Sequence, residues 1–277
     1  MDSDVHSSGF TDVISLSGGQ NVAMDAGIDF CGTSSGVHTK GNFKVMLEGA
    51  YDETLGEMRT TLNTERGLLP GQIPVNNLVS PTPAGQPYDL APWNYMGTEG
   101  ANWTDADYSA DVVDWVLVSA RTDIARNTEI ERTAALLLKD GTIQFADRCA
   151  LANVDGTAHF VVEHRNHMGI MTAQNLDIDN KSVTFDFSQN DTYTGGGTGI
   201  GQKQLPSGAW VMLAGDGDQS DAPSYDNIGV DKIIWADENG GFDVYQLQGD
   251  FNLDADVNGA DKILWELNFG ASSRVPR

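Results

Sequence analysis

At 277 residues, with 16 basic against 40 acidic side chains and a formal charge of -24, the chain repels nucleic-acid phosphates and anionic lipid alike. No run approaches the roughly eighteen apolar residues of a membrane span, so no membrane insertion is expected. The length suits one good-sized core or two small domains.

In chain order, Met1-Asp2-Ser3-Asp4 lacks the basic start and apolar run of a signal peptide, so the numbering is expected to begin within a longer precursor or after its leader. Residues 1–32 form a strand segment: Phe10 to Leu16 alternates, Ser17 to Asn21 turns, and Val22 to Phe30 alternates again. Two strands bury no core alone, so they are expected to complete a sheet in this chain or in another as donor strands. Residues 33–41 read as a polar linker. Residues 42–214 read as a mainly β domain, an immunoglobulin-like β-sandwich. Its strands are expected at Phe43–Gly49, Val112–Val118, Ala134–Lys139, His159–His164, Val183–Phe187 and Trp210–Ala214, with a long Pro- and Gly-rich excursion from Pro70 to Trp103.

Residues 215–277 carry the most specific pattern. From Asp250 as position 1, oxygen-bearing side chains fall at Asn252, Asp254, Asp256, Asn258 and Asp261, the 1-3-5-7-9-12 spacing of an EF-hand calcium loop. A hard cation takes six to eight oxygens, and alternate residues of a curled loop direct them inward while the last acid arrives from the following helix. Asp226–Gly240 matches Asp256–Gly270 at an offset of thirty, with seven identities in fifteen positions, so the unit is repeated. The openings Gly215-Asp216 and Gly249-Asp250 lie thirty-four apart, giving the first loop about four extra residues. Its expected ligands are Asp216, Asp218, Ser220 and Asp231, with Asp221 or Asp226 as substitutes. Ca2+ is the expected cofactor.

Two such loops, each followed by a short helix with Asp-Lys-Ile-aliphatic-Trp, resemble a type I dockerin, the calcium-binding module of cellulosome proteins. That resemblance implies a small α-helical module and a cohesin-like partner domain. The sequence departs from it in the lengthened first loop and in Ala255, where the turn usually takes glycine. Residues 1–32 resemble the closing strands of B-type SD-repeat domains in bacterial surface proteins. Leu47-Glu48-Gly49, Gln86-Pro87-Tyr88, Ala91-Pro92-Trp93-Asn94-Tyr95, Val113–Val118 and His164-Arg165-Asn166-His167 together resemble a C-terminal region of large secreted Bacteroidetes-type proteins. This implies an extracellular, cell-surface location and no assigned activity.

Catalysis is not expected: no nucleophile elbow, Walker loop, dinucleotide fingerprint or Cys-x-x-Cys stands in the sequence. His164 and His167 suit zinc by spacing, with Glu163 beside a bound water, but Arg165 disfavours a cation, and a hydrogen-bonded structural corner is expected instead. Cys31 and Cys149, the two cysteines, allow one disulfide, two buried thiols or a bond between neighbouring subunits. Tyr88, Trp93, Tyr95 and Trp103 either cover an end of the sandwich or offer stacking faces to carbohydrate. The leading expectation is a non-catalytic, calcium-stabilised subunit that assembles with copies of itself, head to tail by strand donation, into a surface filament or fibre. A dockerin-like anchoring module of a larger adhesin or enzyme is the alternative, and a carbohydrate-binding domain the third.

Overall fold

The computed structural model describes residues 38–76, 79–145, 151–189, 192–197, 201–219 and 228–277. The donor-like strands of 1–32, Cys31, Cys149, Ser220, Asp221 and Asp226 lie outside the described residues.

The strands are β1 (His38–Lys44), β2 (Tyr51–Asp52), β3 (Glu57–Met58), β4 (Val112–Arg121), β5 (Glu129–Leu138), β6 (Ile143–Phe145), β7 (Leu151–Ala152), β8 (Thr157–His164), β9 (His167–Met171), β10 (Leu176–Asp177), β11 (Ser182–Asp186), β12 (Gln202–Gln204) and β13 (Trp210–Met212). Two helices close the chain, α1 (Gly229–Glu238) and α2 (Gly259–Leu267). The protein is mainly β. The larger sheet runs β10-β8-β4-β5-β6, with β9 also on β8, and the smaller runs β11-β1-β7. The β1–β11 pair is parallel.

β4 is buried along its whole length, which is why Val112–Val118 reads as an apolar run interrupted at Asp114 alone rather than as an alternation. Phe43 of β1 meets Phe160 of β8 with ring centroids 4.9 Å apart, so the two sheets share one core. Strand β1 starts inside the stretch read as a linker and ends at Lys44. Polar residues hide it: the buried Thr39 hydroxyl donates to Val154 O at 2.6 Å, and Lys40 N donates to Lys181 O at 2.8 Å. After β1 the chain stays buried through Val45 and Leu47, the latter bridging to Met212.

The aromatic excursion covers the larger sheet. Tyr88 and Trp93 are buried, the Tyr88 hydroxyl donates to Trp115 O at 2.7 Å, and the Trp103 and Trp115 ring centroids lie 5.2 Å apart. These two rings therefore present no open stacking face.

No gap in packing separates 42–214 from 215–277, because Tyr245, Leu253 and Ala255 belong to the same apolar core as Trp115. Gly49 shows how close the approach is. A Cβ there would lie 1.9 Å from Phe251 O, so only glycine lets the second loop's backbone settle onto the β body.

Candidate metal centre

The second loop curls through two left-handed residues, Leu253 at φ 57° and Ala255 at φ 74°. Alanine carries strain there that glycine avoids, but its methyl group is fully buried in the main core, and that packing offsets it. The curl is held from within. Asp250 Oδ1 and Oδ2 accept from Asp254 N and Ala255 N at 3.1 and 3.0 Å. Asp254 Oδ1 accepts from Asp256 N at 3.0 Å. Asp261, in the first turn of α2, accepts from Asn252 N at 3.1 Å and Asn258 N at 2.8 Å. Asn258 caps α2 by accepting from Ala260 N at 2.8 Å.

Asp256 departs from the expected ligand set. Its carboxylate pairs with Arg66 at 2.9 Å, just before the excursion and 190 residues away, while the Asn258 amide donates to its backbone oxygen at 3.1 Å. Position 7 of such a loop normally offers its backbone carbonyl, so diverting the side chain leaves the loop's logic intact.

In the first loop Asp216, Asp218 and Asp231 bring carboxylate oxygens within 4.8 Å of one another, and Asp216 and Asp231 are fully buried. Among the described residues this is the group of acids tight enough to share an ion. Asp231 repeats the work of Asp261, accepting from Gly217 N at 2.8 Å and Ile228 N at 2.7 Å. The repeat extends to the helices. Trp235 Nε1 donates to Asn258 O at 2.7 Å and Trp265 Nε1 to Ile228 O at 3.2 Å, so each helix supplies an indole to the other's first residues.

Burial drives the carboxyls upward. Asp231 is pushed up to about 7 by burial, with Asp218 adding to it against the hydrogen bonds it accepts. Asp250 is likewise pushed up to about 7 by burial, Arg165 opposing and Asp261 and Asp254 reinforcing. Asp261 rises to about 6 through burial and Asp254. The first loop thus gathers carboxylates whose charge lacks a full counter-charge, and an all-oxygen set of this kind fits a hard divalent cation; the second loop holds Asp250, Asp254 and Asp261 in the same order without bringing them as close.

What fixes the loops to the β body is the corner His164-Arg165-Asn166-His167, the two-residue turn between β8 and β9. At its centre is Asp114, fully buried on β4 beside a break in the β4–β5 register. Asp114 Oδ2 accepts from Arg165 Nε at 3.1 Å and His164 Nε2 at 3.2 Å, and Oδ1 accepts from the Tyr245 hydroxyl at 2.5 Å. Burial alone would raise Asp114, but Arg165 and His164 hold it well below the usual carboxylate range. The turn then reaches outward. Arg165 donates to Leu247 O at 2.7 Å, Asn166 Nδ2 to Asp250 O at 2.6 Å, and Gln219 Nε2 to His167 O at 3.1 Å. One corner therefore grips both loops. Its histidines face each other and Asp114 rather than three ligands around a zinc ion.

Both imidazoles are neutral in this arrangement. His164 donates from Nε2 to Asp114, so its Nδ1 accepts from His167 Nδ1 at 3.1 Å, and His167 Nε2 accepts from Gly49 N at 3.2 Å. Burial lowers His164, with Asp114 opposing, and burial with the neighbouring His164 and Arg165 lowers His167 further. The unfolded chain takes up protons at an ordinary imidazole value of about 6.5 while the fold does not. These two residues thus stabilise the fold above that value, and the contribution is lost as pH falls below it. Ring nitrogen NMR is expected to show two of the five histidines taking up their protons below the ordinary imidazole value, one as Nε2–H and one as Nδ1–H when neutral, His167 the more strongly shifted; ordinary titration of all five contradicts the assignment.

No family model matches this chain, and no curated protein matches it. Among solved structures it is similar to a chain of an N-terminal interface mutant of a type II cohesin–X-dockerin complex from Acetivibrio cellulolyticus. The match has 15% identity and a TM-score of 0.35, covering 57% of this chain and 82% of that one. A similarity of that size fixes neither fold family nor function.

Proposed function

We propose that this chain is a non-catalytic, calcium-stabilised structural protein of the cell exterior, an immunoglobulin-like β-sandwich ending in a dockerin-like pair of calcium loops. One observation carries it: the carboxyls of Asp216, Asp218 and Asp231 in the first loop lie within 4.8 Å of one another, the second loop repeats their order in sequence, and the Asp114 corner ties both loops to the sheets. Asp216, Asp218 and Asp231 would hold one ion, and Asp250, Asn252, Asp254 and Asp261 a second. The calcium supplies the positive charge that the buried carboxyls lack. Such loops suit the millimolar calcium outside cells.

Within this function we place the chain as a subunit that polymerises head to tail, residues 1–32, whose sequence reads as a strand segment, entering the next copy. The short strands β6, β7 and β11 stand at the ends of their sheets, where such addition would take place. Electron microscopy of the purified chain with millimolar calcium, then with chelator, tests it: uniform filaments that fray on chelation are expected. Single particles under both conditions reject polymerisation and leave the docking alternative. That alternative draws on one feature, the apolar side chains that the helices turn to solvent. Ile233 and Ile263, equivalent in the repeat, are 59% and 57% exposed, with Leu267 at 70% beside them.

A further inference from the structure

Glu48, Lys203 and Asn268 come from three separate places, the segment after β1, strand β12 and the end of α2, and meet in one cluster. Glu48 Oε1 contacts Lys203 Nζ, and Glu48 Oε2 accepts from Asn268 Nδ2 at 2.5 Å. Lys203 Nζ is also directed at the same amide, donating to Asn268 Oδ1 at 3.4 Å. Ala214 holds the pair from the other side, its N–H donating to Glu48 Oε2 at 3.0 Å and its carbonyl accepting from Asn268 Nδ2 at 2.9 Å. Asn268 is 5% exposed and the Glu48 side chain 6%, with Leu47, Met212 and Ala214 buried around them.

We propose that Lys203 and Asn268 join through an intramolecular side-chain amide bond, with Glu48 carrying the protons. An ion pair alone needs no buried carboxamide. Here a single carboxylate bridges an amine and an amide that already face each other, and water is kept from the amide carbon. Lys203 Nζ passes one proton to Glu48 Oε1, and its freed lone pair attacks the Asn268 side-chain carbonyl carbon. Glu48 returns a proton through Oε2 to Nδ2. The old carbon–nitrogen bond breaks, the new one remains, and the nitrogen leaves as ammonium with the second lysine proton. The reaction exchanges one amide for another, so no oxidant or reductant enters. The bond would tie β12 to the end of α2 across 65 residues, a covalent loop enclosing the repeated acidic segment. This inference stands whether or not the loops bind calcium.

Intact mass spectrometry of the folded full chain tests it. The expected mass is below the sequence mass by one ammonia, about 17 Da, and digestion yields a branched peptide joining Lys203 to Asn268. Lys203→Arg, Asn268→Ala and Glu48→Gln are each expected to restore the full mass. Lys203→Arg keeps the charge beside Glu48, and so separates loss of the bond from loss of the fold. Folded wild-type chain at full mass, with no branched peptide, overturns the proposal. So does a deficit that survives in Lys203→Arg, which would mark an asparagine succinimide instead.

Discussion

Asp114→Ala is expected to cost about 3–5 kcal/mol, read as a lowered urea midpoint, because it leaves the charge of Arg165 buried without its partner. Arg165, His164 and the Tyr245 hydroxyl all converge on this one carboxylate, and each would lose its acceptor at once. Compensation from solvent is small, since Asp114 and His164 are fully buried and Arg165 nearly so. The loss should also reach the loops. Leu247 O and Asp250 O are held by Arg165 and Asn166, whose orientation depends on the corner. Asp114→Asn keeps the shape but not the charge and is expected to cost less. A loss from Asp114→Ala of under about 1 kcal/mol, the size of an exposed ion pair, would show that the corner does not anchor the fold.

Removing calcium is expected to have an effect of similar size. At free calcium about a thousandfold above Kd, each ion stabilises the folded chain by about 4 kcal/mol. With each kcal/mol moving Tm by about 2–4 °C in a chain of this size, chelation should lower the first transition by at least about 10 °C. The loss should begin locally. Without the ion, Asp231, Asp250 and Asp261 must stay protonated or be repelled by acids of their own loops, Asp218 for the first and Asp254 for the other two, so backbone amides that depend on them are exposed first. These are the amides of Gly217, Ile228, Asn252 and Asn258, followed by hydrogen exchange as the chelator is added. The Arg66–Asp256 pair will not compensate, because Asp256 is 41% exposed and an ion pair of that kind contributes little.

What the sequence made legible was local. The ligand spacing and the thirty-residue repeat stand in consecutive residues, and the reciprocal Trp235 and Trp265 contacts follow from that repeat. β4 and β8 were visible because burial on both faces leaves apolar stretches, Trp115–Val118 and Phe160–Val162, at their centres. The non-local features were hidden. Gly49 looks like an ordinary turn residue until Phe251 O is found against it. Asp256 looks like a ligand until Arg66 claims it. β1 begins in residues whose polarity suggested a linker, because its pairing with β11, 142 residues on, supplies what composition does not show. Glu48, Lys203 and Asn268 carry no shared motif, and only the fold of three distant segments brings them together.

Calorimetric titration of calcium into the chelator-stripped full chain tests the central claim most directly, with melting followed in parallel. Two bound ions, a raised Tm, and loss of one ion in each of Asp231→Ala and Asp261→Ala are the predicted result. No heat of binding and an unchanged melt across millimolar calcium would contradict it, leaving the two loops as hydrogen-bonded acidic turns.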